Sequence, residues 1–297
     1  MIGAADYRRH AQEAFARGNI DLAVAYLENA LRQDPSDRES YYAIGRFLRM
    51  SGKPEPAARW YRECLAQFPD DSVATMGLAA LGEIPPPERL PDDVVLYVFD
   101  QNARVYDENM ALLGYAIPEV LARLLASEKG PAAGDLDILD LGCGSGLCGP
   151  LLRPFARRLV GLDLAPAMVA LAQQRGCYDE LRQGEILGAL QSGMLGTFDV
   201  IVAANVVIYF GDLTPLAAAA ANALRPRGAF VFDVEKGADA TRHGFHTAGR
   251  YTHSRALVER AFGPPTYTRL RIEDAVMREE AGAPVRALCC TAIRSVP

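Results

Sequence analysis

The fold is best inferred from one short run of residues, Ile138-Leu-Asp-Leu-Gly-Cys-Gly-Ser-Gly146. Its first four residues are apolar apart from one carboxylate and predict a buried strand, which leads into three alternate glycines. Glycine reaches positive φ and has no Cβ, so a ligand can lie against the main chain there and meet the amide groups of the following helix. The run predicts a site for a nucleoside cofactor.

The residues around this run alternate short apolar strands with helical segments. Such a βαβ series predicts a doubly wound parallel sheet. The predicted strands are residues 137–141, 159–162, 198–203 and 229–234, and the predicted helices between them are residues 165–175 and 212–224. Near the end of the sequence, residues 267–277 and 286–293 flank the loop of residues 279–284. They predict a hairpin that adds an antiparallel strand to the sheet.

Composition restricts the class of protein. The chain has 297 residues, of which 50% are hydrophobic and 23% are charged, as in ordinary globular proteins. No apolar run reaches the roughly 18 residues of a membrane span, and the first residues lack the apolar core of a secretory signal. We therefore expect a cytoplasmic protein that does not bind membranes.

Charge and cysteine content restrict the ligands. The net charge is −6, and acidic and basic residues are mixed along the chain, which argues against a nucleic-acid partner. The six cysteines form no CxxC pair and have no histidine at metal-ligand spacing. We therefore expect reduced thiols and no metal site.

The N-terminal residues repeat with a period of 34, so that Ala23 aligns with Ala57 and Pro35 with Pro69. This period belongs to the tetratricopeptide repeat, in which small residues let two helices approach closely. A third helix, about residues 71–81, begins the next repeat and then stops, as a capping helix does. We predict an all-α repeat domain over residues 1–83.

The segment Gly82-Glu-Ile-Pro-Pro-Pro-Glu-Arg-Leu-Pro91 cannot continue a helix, because its four prolines remove amide donors. We predict a linker over residues 84–93 and a second domain over residues 94–297. Helical spacing returns over residues 94–126, which we expect to cover the cofactor as lid helices. Their apolar stripe consists of Phe99, Ala103, Tyr106, Met110 and Leu113.

Two classes of cofactor fit the glycine run. Residues 144–149 also satisfy the GxGxxG pattern of dinucleotide enzymes, which is weak evidence by itself. The carboxylate of Asp140 would repel a pyrophosphate and attract a ligand that carries a sulfonium and an ammonium group. This charge favours S-adenosylmethionine. Asp163, after the next strand, is placed to bind both ribose hydroxyls in either class of enzyme.

Four segments, in this order, resemble those of class I S-adenosylmethionine-dependent methyltransferases. They are residues 139–146 (LDLGCGSG), 161–168 (GLDLAPAM), 198–205 (FDVIVAAN) and 224–230 (LRPRGAF). The similarity covers about residues 94–297 and implies a Rossmann-like α/β sheet with an antiparallel terminal strand. Residues 99–107, 113–118 and 249–254, with the repeats upstream, resemble a bacterial group of methyltransferases that carry N-terminal tetratricopeptide repeats.

The resemblance also implies roles for individual positions. Asp163 would hold the ribose, and Leu164 and Met168 would lie against the adenine. Glu185 stands where relatives often have Asp near the adenine amine, and Asn205 stands where close relatives often have Asp after the fourth strand. The candidate cofactor-binding residues are Tyr106, Asp140, Gly142, Cys143, Gly144, Gly146, Asp163, Leu164, Met168, Glu185, Ile186 and Asn205.

A sulfonium methyl is already electrophilic, so the main task of the protein is to align the acceptor nucleophile with the methyl carbon and the sulfur. An acceptor hydroxyl or ammonium must also lose a proton to a base. The candidate catalytic residues are His253, His246 and Tyr209, with His243 and Glu235 nearby. His253 is favoured among the histidines because it lies in the matching segment GRYTHS.

Three functions of different kinds are compatible with the sequence. The favoured one is a methyltransferase that methylates oxygen or nitrogen in a small molecule or a protein and releases S-adenosylhomocysteine. Its repeats would hold a partner protein, a second copy of the chain or part of the substrate. The second function is an adaptor with a catalytically silent methyltransferase-like domain. The third is an NAD-dependent oxidoreductase, although no Tyr-xxx-Lys pair stands in a suitable place.

Overall fold

The computed structural model describes residues 3–238, 243–246 and 248–296, with the backbone alone at residues 100–102. Its contacts divide the chain into two compact units. One unit contains the residues up to Pro87 together with Phe245–Arg250, and the other contains Glu88–Gly244 and Tyr251–Pro297. The division between Pro87 and Glu88 falls inside the segment that the sequence predicts as a linker.

The first unit is helical. Its helices are α1 (Ala4–Ala16), α2 (Ile20–Gln33), α3 (Arg38–Met50), α4 (Pro54–Gln67) and α5 (Ser72–Ala80). Polar side chains begin two of them: Asn19 accepts a hydrogen bond from the amide of Leu22 at 3.2 Å, and Asp71 accepts one from the amide of Ala74 at 2.8 Å. The third repeat helix expected at residues 71–81 is confirmed as α5.

The ring of Tyr61 on α4 packs against two helices at positions that require glycine. Tyr61 is only 3% exposed. A Cβ atom added to Gly45 on α3 would lie 2.5 Å from this ring, and one added to Gly77 on α5 would clash with it as well. The aromatic ring thus occupies the space that side chains at these two positions would need.

Helices also precede the sheet of the second unit. They are α6 (Asp92–Asn102), α7 (Tyr106–Leu112) and α8 (Ile117–Lys129), with a 3-10 turn at Ala103–Val105. The predicted apolar stripe is therefore interrupted by this turn, yet Phe99 and Tyr106 still pack with Ala103 against Met168. Among the described residues, no single helix is long and apolar enough to cross a membrane, and only the bent pair of residues 103–112 and 117–129 meets that criterion jointly.

A mixed sheet forms the core of the second unit. Its strands are β1 (Leu136–Leu141), β2 (Ala156–Asp163), β3 (Glu180–Gln183), β4 (Phe198–Ala203), β5 (Leu224–Lys236), β6 (Gly244–Phe245), β7 (Tyr251–His253), β8 (Tyr267–Glu280) and β9 (Ala283–Arg294). Strands β3, β2, β1, β4 and β5 are neighbours in that order and run parallel. Strand β9 is antiparallel to β5 and pairs with β8. The predicted parallel sheet and terminal hairpin are confirmed.

Five further helices accompany these strands: α9 (Gly149–Leu152), α10 (Pro166–Gln174), α11 (Ile186–Gln191), α12 (Thr214–Ala223) and α13 (Arg255–Ala261). The predicted helices at residues 165–175 and 212–224 correspond to α10 and α12. The hairpin strands are longer than predicted, because they continue to Glu280 and resume at Ala283, which leaves a tighter turn than the expected loop of residues 279–284. Buried side chains cover both faces of the sheet.

We expect Gly45→Ala to lower the free energy of unfolding by about 1–3 kcal/mol, because the added methyl overpacks the Tyr61 ring. Denaturant unfolding of the whole chain would measure the loss. The control is the double variant Gly45→Ala/Tyr61→Leu, in which the smaller side chain should leave room for the methyl. The loss in the free energy of unfolding that Gly45→Ala causes should therefore be smaller in a chain that carries Tyr61→Leu than in the unaltered chain. Equal losses would show that the added methyl does not clash with the Tyr61 ring.

Candidate functional site

The glycine turn after β1 forms one wall of a cavity at the carboxyl ends of the parallel strands. Gly142, Gly144 and Gly146 have φ values of +69°, +53° and +84°. The amides of Gly142 and Cys143 donate to the carbonyl of Leu162 at 2.7 and 2.9 Å, so the turn is held against β2. A Cβ atom at Gly144 would meet no atom within 4 Å. This side of the turn is therefore open to a ligand.

Asp163, the last residue of β2, lies beside the turn and lines the same cavity. Its Oδ2 accepts the amide of Gly144 at 2.8 Å and its Oδ1 accepts the amide of Ala165 at 2.9 Å. Burial raises the pKa of the Asp163 carboxyl, and these amide hydrogen bonds oppose that rise. A carboxylate oxygen accepts more than one hydrogen bond, so Asp163 keeps the capacity to bind ligand hydroxyls.

The cavity is a cleft with about 650 Å³ of empty space, which includes space open to the solvent. Its walls combine apolar and aromatic side chains with a few acids and one arginine. The lining residues are Arg89, Leu90, Asp92, Val95, Phe99, Tyr106, Gly142, Gly144, Asp163, Leu164, Glu185, Ile186, Ala204, Asn205, Val206, Tyr209 and Phe210. The structure thus brings most of the sequence-predicted cofactor residues together.

Glu185, which is expected near an adenine amine, lines the main cavity, and its carboxylate has several protein partners. Its carboxylate begins α11 by accepting the amides of Leu187 at 2.8 Å and Gly188 at 2.7 Å. Arg89 also donates to Glu185, at 2.9 Å, and to Asp92, at 2.7 Å. The carboxylate is therefore held by a helix N-terminus and an arginine, and the guanidinium of Arg89 becomes part of the cavity wall.

Arg89 was not found from the sequence because it lies in the segment predicted to be a linker. In the structure this segment pairs with the residues after β4. The amide of Leu90 donates to the carbonyl of Tyr209 at 2.9 Å, and the amide of Gly211 donates to the carbonyl of Glu88 at 2.7 Å. Arg89 and Phe210 form an antiparallel bridge. The segment is thus an ordered wall of the site.

Aromatic side chains close one side of the cavity. The ring of Phe99 on α6 lies 6.0 Å from the ring of Tyr106 and 5.8 Å, edge-on, from the ring of Tyr209. The carboxylate of Asp107 on α7 receives hydrogen bonds from Ser145 and Arg175, which fasten the lid helices to the glycine turn. The expected position of Tyr106 and Tyr209 at the site agrees with this arrangement.

A smaller cavity adjoins the first one at Tyr106, Gly142 and Gly144. It contains Asp140, which is 1% exposed and accepts a hydrogen bond from the hydroxyl of Tyr178 at 2.6 Å. Burial raises the pKa of the Asp140 carboxyl to about 7, although the Tyr178 hydrogen bond opposes the rise. A cation that reached this carboxyl would favour its ionised form.

Asn205 follows β4 and has a φ of +58°. Its amide donates to Oδ1 of Asp233 on β5 at 2.7 Å, and its side-chain oxygen accepts from Arg278 on β8 at 3.2 Å. The side chain of Arg278 is 4% exposed and also pairs with Glu235 and Glu280. Neither Asp233 nor Arg278 stands in a sequence motif, so the pattern of residues alone did not identify them.

Five sequence-predicted residues of the second unit do not line the main cavity: Asp140 and Cys143, which line the smaller cavity, and Gly146, Met168 and His253. Met168 is buried beneath the lid helices, and Gly146 packs against Tyr178 and Ala172 instead of facing the opening. His253 is buried, with Nε2 at 3.0 Å from the carbonyl of Gly211, and lies at a separate cavity. His246 belongs to the other compact unit.

The structure therefore does not bring His253 to the cavity that contains Asp163, and it places His246 outside the compact unit that forms this cavity. Burial lowers the pKa of His253 to about 4, so its ring is neutral near pH 7. His243 lies at the same separate cavity as His253. Of the predicted catalytic residues, only Tyr209 lines the main cavity. Among the side chains that the structure describes, no group of three or more His, Cys, Asp or Glu is arranged to hold a metal ion.

Comparison with known proteins shows which proteins this chain resembles. Residues 139–232 match the family model of the methyltransferase domain, and residues 8–72 match that of the tetratricopeptide repeat. The solved structure of magnesium protoporphyrin IX methyltransferase from Synechocystis PCC 6803 with bound S-adenosylmethionine shares the fold, with a TM-score of 0.51. It is 20% identical in sequence, and the match covers 71% of this chain and all of that one.

Two relatives are similar in sequence. Nocamycin O-methyltransferase of Saccharothrix syringae is 37% identical over 142 residues, 44% of this chain and 47% of that protein. Nodulation protein S of Rhizobium tropici is 30% identical over 139 residues, 46% of this chain and 57% of that protein. The chain thus spans about half the length of these relatives. Residues 139–232 thus match a methyltransferase domain with the fold of a known methyltransferase, and residues 8–72, which precede it, match tetratricopeptide repeats.

We expect Gly142→Ala and Gly144→Ala to differ in stability. Both substitutions place alanine at positive φ, which costs about 1–2 kcal/mol. At Gly142 the added methyl would also clash with the side chain of Val206, whereas at Gly144 it would enter open space. Thermal unfolding should therefore show a clearly larger loss for Gly142→Ala. Equal losses would mean that the turn does not pack as described.

Proposed function

We propose that the chain is an S-adenosylmethionine-dependent methyltransferase that acts on oxygen or nitrogen of an acceptor. The observation that carries the proposal is the half-buried carboxylate of Asp163, which the amides of Gly144 and Ala165 fix in the wall of the main cavity. The open side of Gly144 gives a nucleoside access to the main chain. Two solved structures with the same fold support this cofactor, since one has S-adenosylmethionine bound and the other has S-adenosylhomocysteine bound.

Each wall of the two cavities suits one part of this cofactor. Asp163 would accept hydrogen bonds from the ribose hydroxyls, and Leu164 and Ile186 would contact the adenine. Asp140, in the smaller cavity, would pair with the ammonium group. When bound, S-adenosylmethionine supplies an electrophilic methyl group. The lid helices would exclude water while the acceptor is held in line with the methyl group and the sulfur.

The tyrosines at the main cavity are suited to orient an acceptor. Burial raises the pKa of the Tyr106 hydroxyl, so it keeps its proton at neutral pH and acts as a hydrogen-bond donor. Tyr209 borders the same cavity. We propose that these two residues, and not His253 or His246, contact the acceptor or the reacting end of the cofactor. An acceptor with a lone pair that is already free at neutral pH needs no base for this reaction.

We propose that the acceptor is a small molecule or a protein side chain. The apolar and aromatic lining of the cavity supports an organic acceptor, and the net charge of −6 gives no general attraction for nucleic acid. The tetratricopeptide repeats would hold a partner protein, a second copy of the chain or part of the substrate.

Titration calorimetry of the whole chain tests the cofactor assignment. S-adenosylmethionine and S-adenosylhomocysteine should bind, and NAD should not. Asp163→Ala should weaken S-adenosylhomocysteine binding at least about tenfold, because two hydrogen bonds to a charged acceptor are lost. The control is Asp135→Ala, which replaces an exposed acid just before β1 and should leave the affinity unchanged. Unchanged affinity in a folded Asp163→Ala variant would refute the ribose assignment, and binding of NAD alone would refute the function.

The affinity for S-adenosylmethionine should rise with pH between pH 5.5 and 7.0, by about tenfold, if the bound ammonium group requires ionised Asp140. The sign follows from the raised pKa of about 7, since the free carboxyl holds a proton below that pH and must release it on binding. Calorimetry in buffers of different ionisation enthalpy would also detect the released proton.

Two variants separate Asp140 from the other carboxyl of similar pKa. Asp140→Asn should remove most of the pH dependence. Asp233→Asn should retain it, although burial raises the pKa of Asp233 to about 7 as well. A pH dependence that persists in Asp140→Asn would show that another group governs the binding.

A further inference from the structure

The side chain of Asn205, in the wall of the main cavity, is held by an arginine that lies outside that wall. Asn205 lines the main cavity, whereas Arg278 on β8 is 4% exposed and is not among the lining residues. Nη1 of Arg278 donates to Oδ1 of Asn205 at 3.2 Å. A guanidinium has only donors, so the amide must turn its oxygen toward Arg278 and its NH₂ group away from it. The end of the amide that remains for a ligand is thus a donor.

Further contacts keep this arrangement in place. Nε of Arg278 donates to Oε1 of Glu280 at 2.6 Å, and Nη2 lies 3.5 Å from Oε2 of Glu235, so the guanidinium is held by two carboxylates. The amide of Asn205 donates to Oδ1 of Asp233 at 2.7 Å. The φ of Asn205, +58°, is left-handed, a conformation that asparagine tolerates well. The main chain and the side chain of Asn205 are therefore both fixed.

The described acids that line the main cavity already have partners. Asp163 accepts two main-chain amides, and Glu185 and Asp92 both accept from Arg89. Asp163 ends β2 and Glu185 follows β3, whereas Asn205 follows β4, and β1 lies between β2 and β4. The position after β4 thus offers an acceptor molecule a hydrogen-bond donor in place of a carboxylate.

The main cavity is also poor in bases. Among the described residues that line it, none is a histidine, and burial raises the pKa of the Tyr106 hydroxyl, so it keeps its proton at neutral pH. A hydroxyl or an ammonium group must lose a proton when it is methylated. A carboxylate, in contrast, has free lone pairs at neutral pH, because its pKa is near 4. The lining therefore favours a carboxylate over a hydroxyl or an amine.

We propose that the methyl acceptor is a carboxylate and that Asn205 selects it, by donating from its NH₂ group to one carboxylate oxygen while the other oxygen attacks the methyl group. This inference rests on the proposed function and narrows its oxygen or nitrogen acceptor to one chemical class. Arg278 is a positioning residue, which acts by turning the NH₂ group of Asn205 toward the acceptor.

The reaction of a carboxylate needs no proton transfer. A lone pair of the attacking oxygen forms the bond to the methyl carbon, while the bond between this carbon and sulfur breaks and its electron pair stays on sulfur. The negative charge of the carboxylate and the positive charge of the sulfonium cancel, and the products are a methyl ester and S-adenosylhomocysteine. The other oxygen becomes the ester carbonyl, which still accepts a hydrogen bond from Asn205.

The stability of the product to alkali identifies the class of acceptor. The whole chain is incubated with S-adenosylmethionine tritiated in the methyl group and with small-molecule and protein fractions from the organism that makes the chain. Mild alkali hydrolyses methyl esters, so the label should leave as volatile methanol, whereas methyl ethers and methylamines would keep it. Label that resists alkali would overturn the inference and leave the proposed function standing. The absence of any labelled product would overturn the proposed function, and the inference with it.

Asn205→Asp tests the donor, because it replaces the NH₂ group by a negative charge and tolerates the same left-handed backbone. It should lower kcat/KM for the purified acceptor at least about tenfold, since a hydrogen bond to a charged group is lost. The affinity for S-adenosylhomocysteine should change less than about threefold. The control Asn222→Asp makes the same change at an exposed position on α12 and should alter neither quantity. Equal losses of both quantities in Asn205→Asp would place Asn205 at the cofactor and overturn the inference.

Variants of Arg278 test its positioning role. Arg278→Lys keeps a side chain that only donates, and it should retain more of kcat/KM than Arg278→Gln, whose amide can also accept from Asn205 and let it turn over. Once Asn205→Gly has removed the amide, Arg278→Gln should lower kcat/KM by less than about twofold more. Additive losses would overturn the positioning role. Should Arg278→Gln fail to fold, Asn205→Asp still decides whether Asn205 selects the acceptor.

Discussion

Hydrogen bonds between the glycine turn and the end of β2 fix the geometry on which the rest of the site depends. The amides of Gly142 and Cys143 donate to Leu162, and the amide of Gly144 donates to the carboxylate of Asp163. Through these bonds, two neighbouring strands place an open main-chain surface and a charged acceptor side by side. The lid helices, the segment before α6 and the residues after β4 are then arranged around that pair.

Electrostatics at the site differ between its two cavities. In the main cavity, Asp163 is surrounded by amide donors, and Glu185 is paired with Arg89, so these acids have compensating partners. In the smaller cavity, Asp140 accepts a hydrogen bond from the neutral Tyr178, and burial raises its pKa to about 7. The environment of Asp163 is suited to a neutral polar group, and a cation would stabilise the ionised form of Asp140 in the smaller cavity.

The sequence predicted the parts of the structure that depend on local patterns. Apolar runs predicted β1, β2, β4 and β5. Asp140 and Asp163 were predicted as site residues because they lie at the carboxyl ends of β1 and β2, and parallel strands bring those ends to one edge of the sheet. Residues whose role depends on distant partners were not predictable in this way. Arg278 meets Asn205 across 73 residues of sequence, and Arg89 meets Glu185 across 96. His253 looked suitable by residue type, but only the fold shows that it is buried against Gly211.

The strand-like segment before α6 has a consequence for where a fragment that contains the second unit can begin. Glu88, Arg89 and Leu90 bond to the residues after β4 and complete the wall beside Glu185. A fragment that started at residue 94, where motif matching alone would begin the domain, would lose this wall and leave backbone groups of Tyr209 and Gly211 without their partners. A fragment that keeps this wall of the cavity therefore starts no later than Glu88.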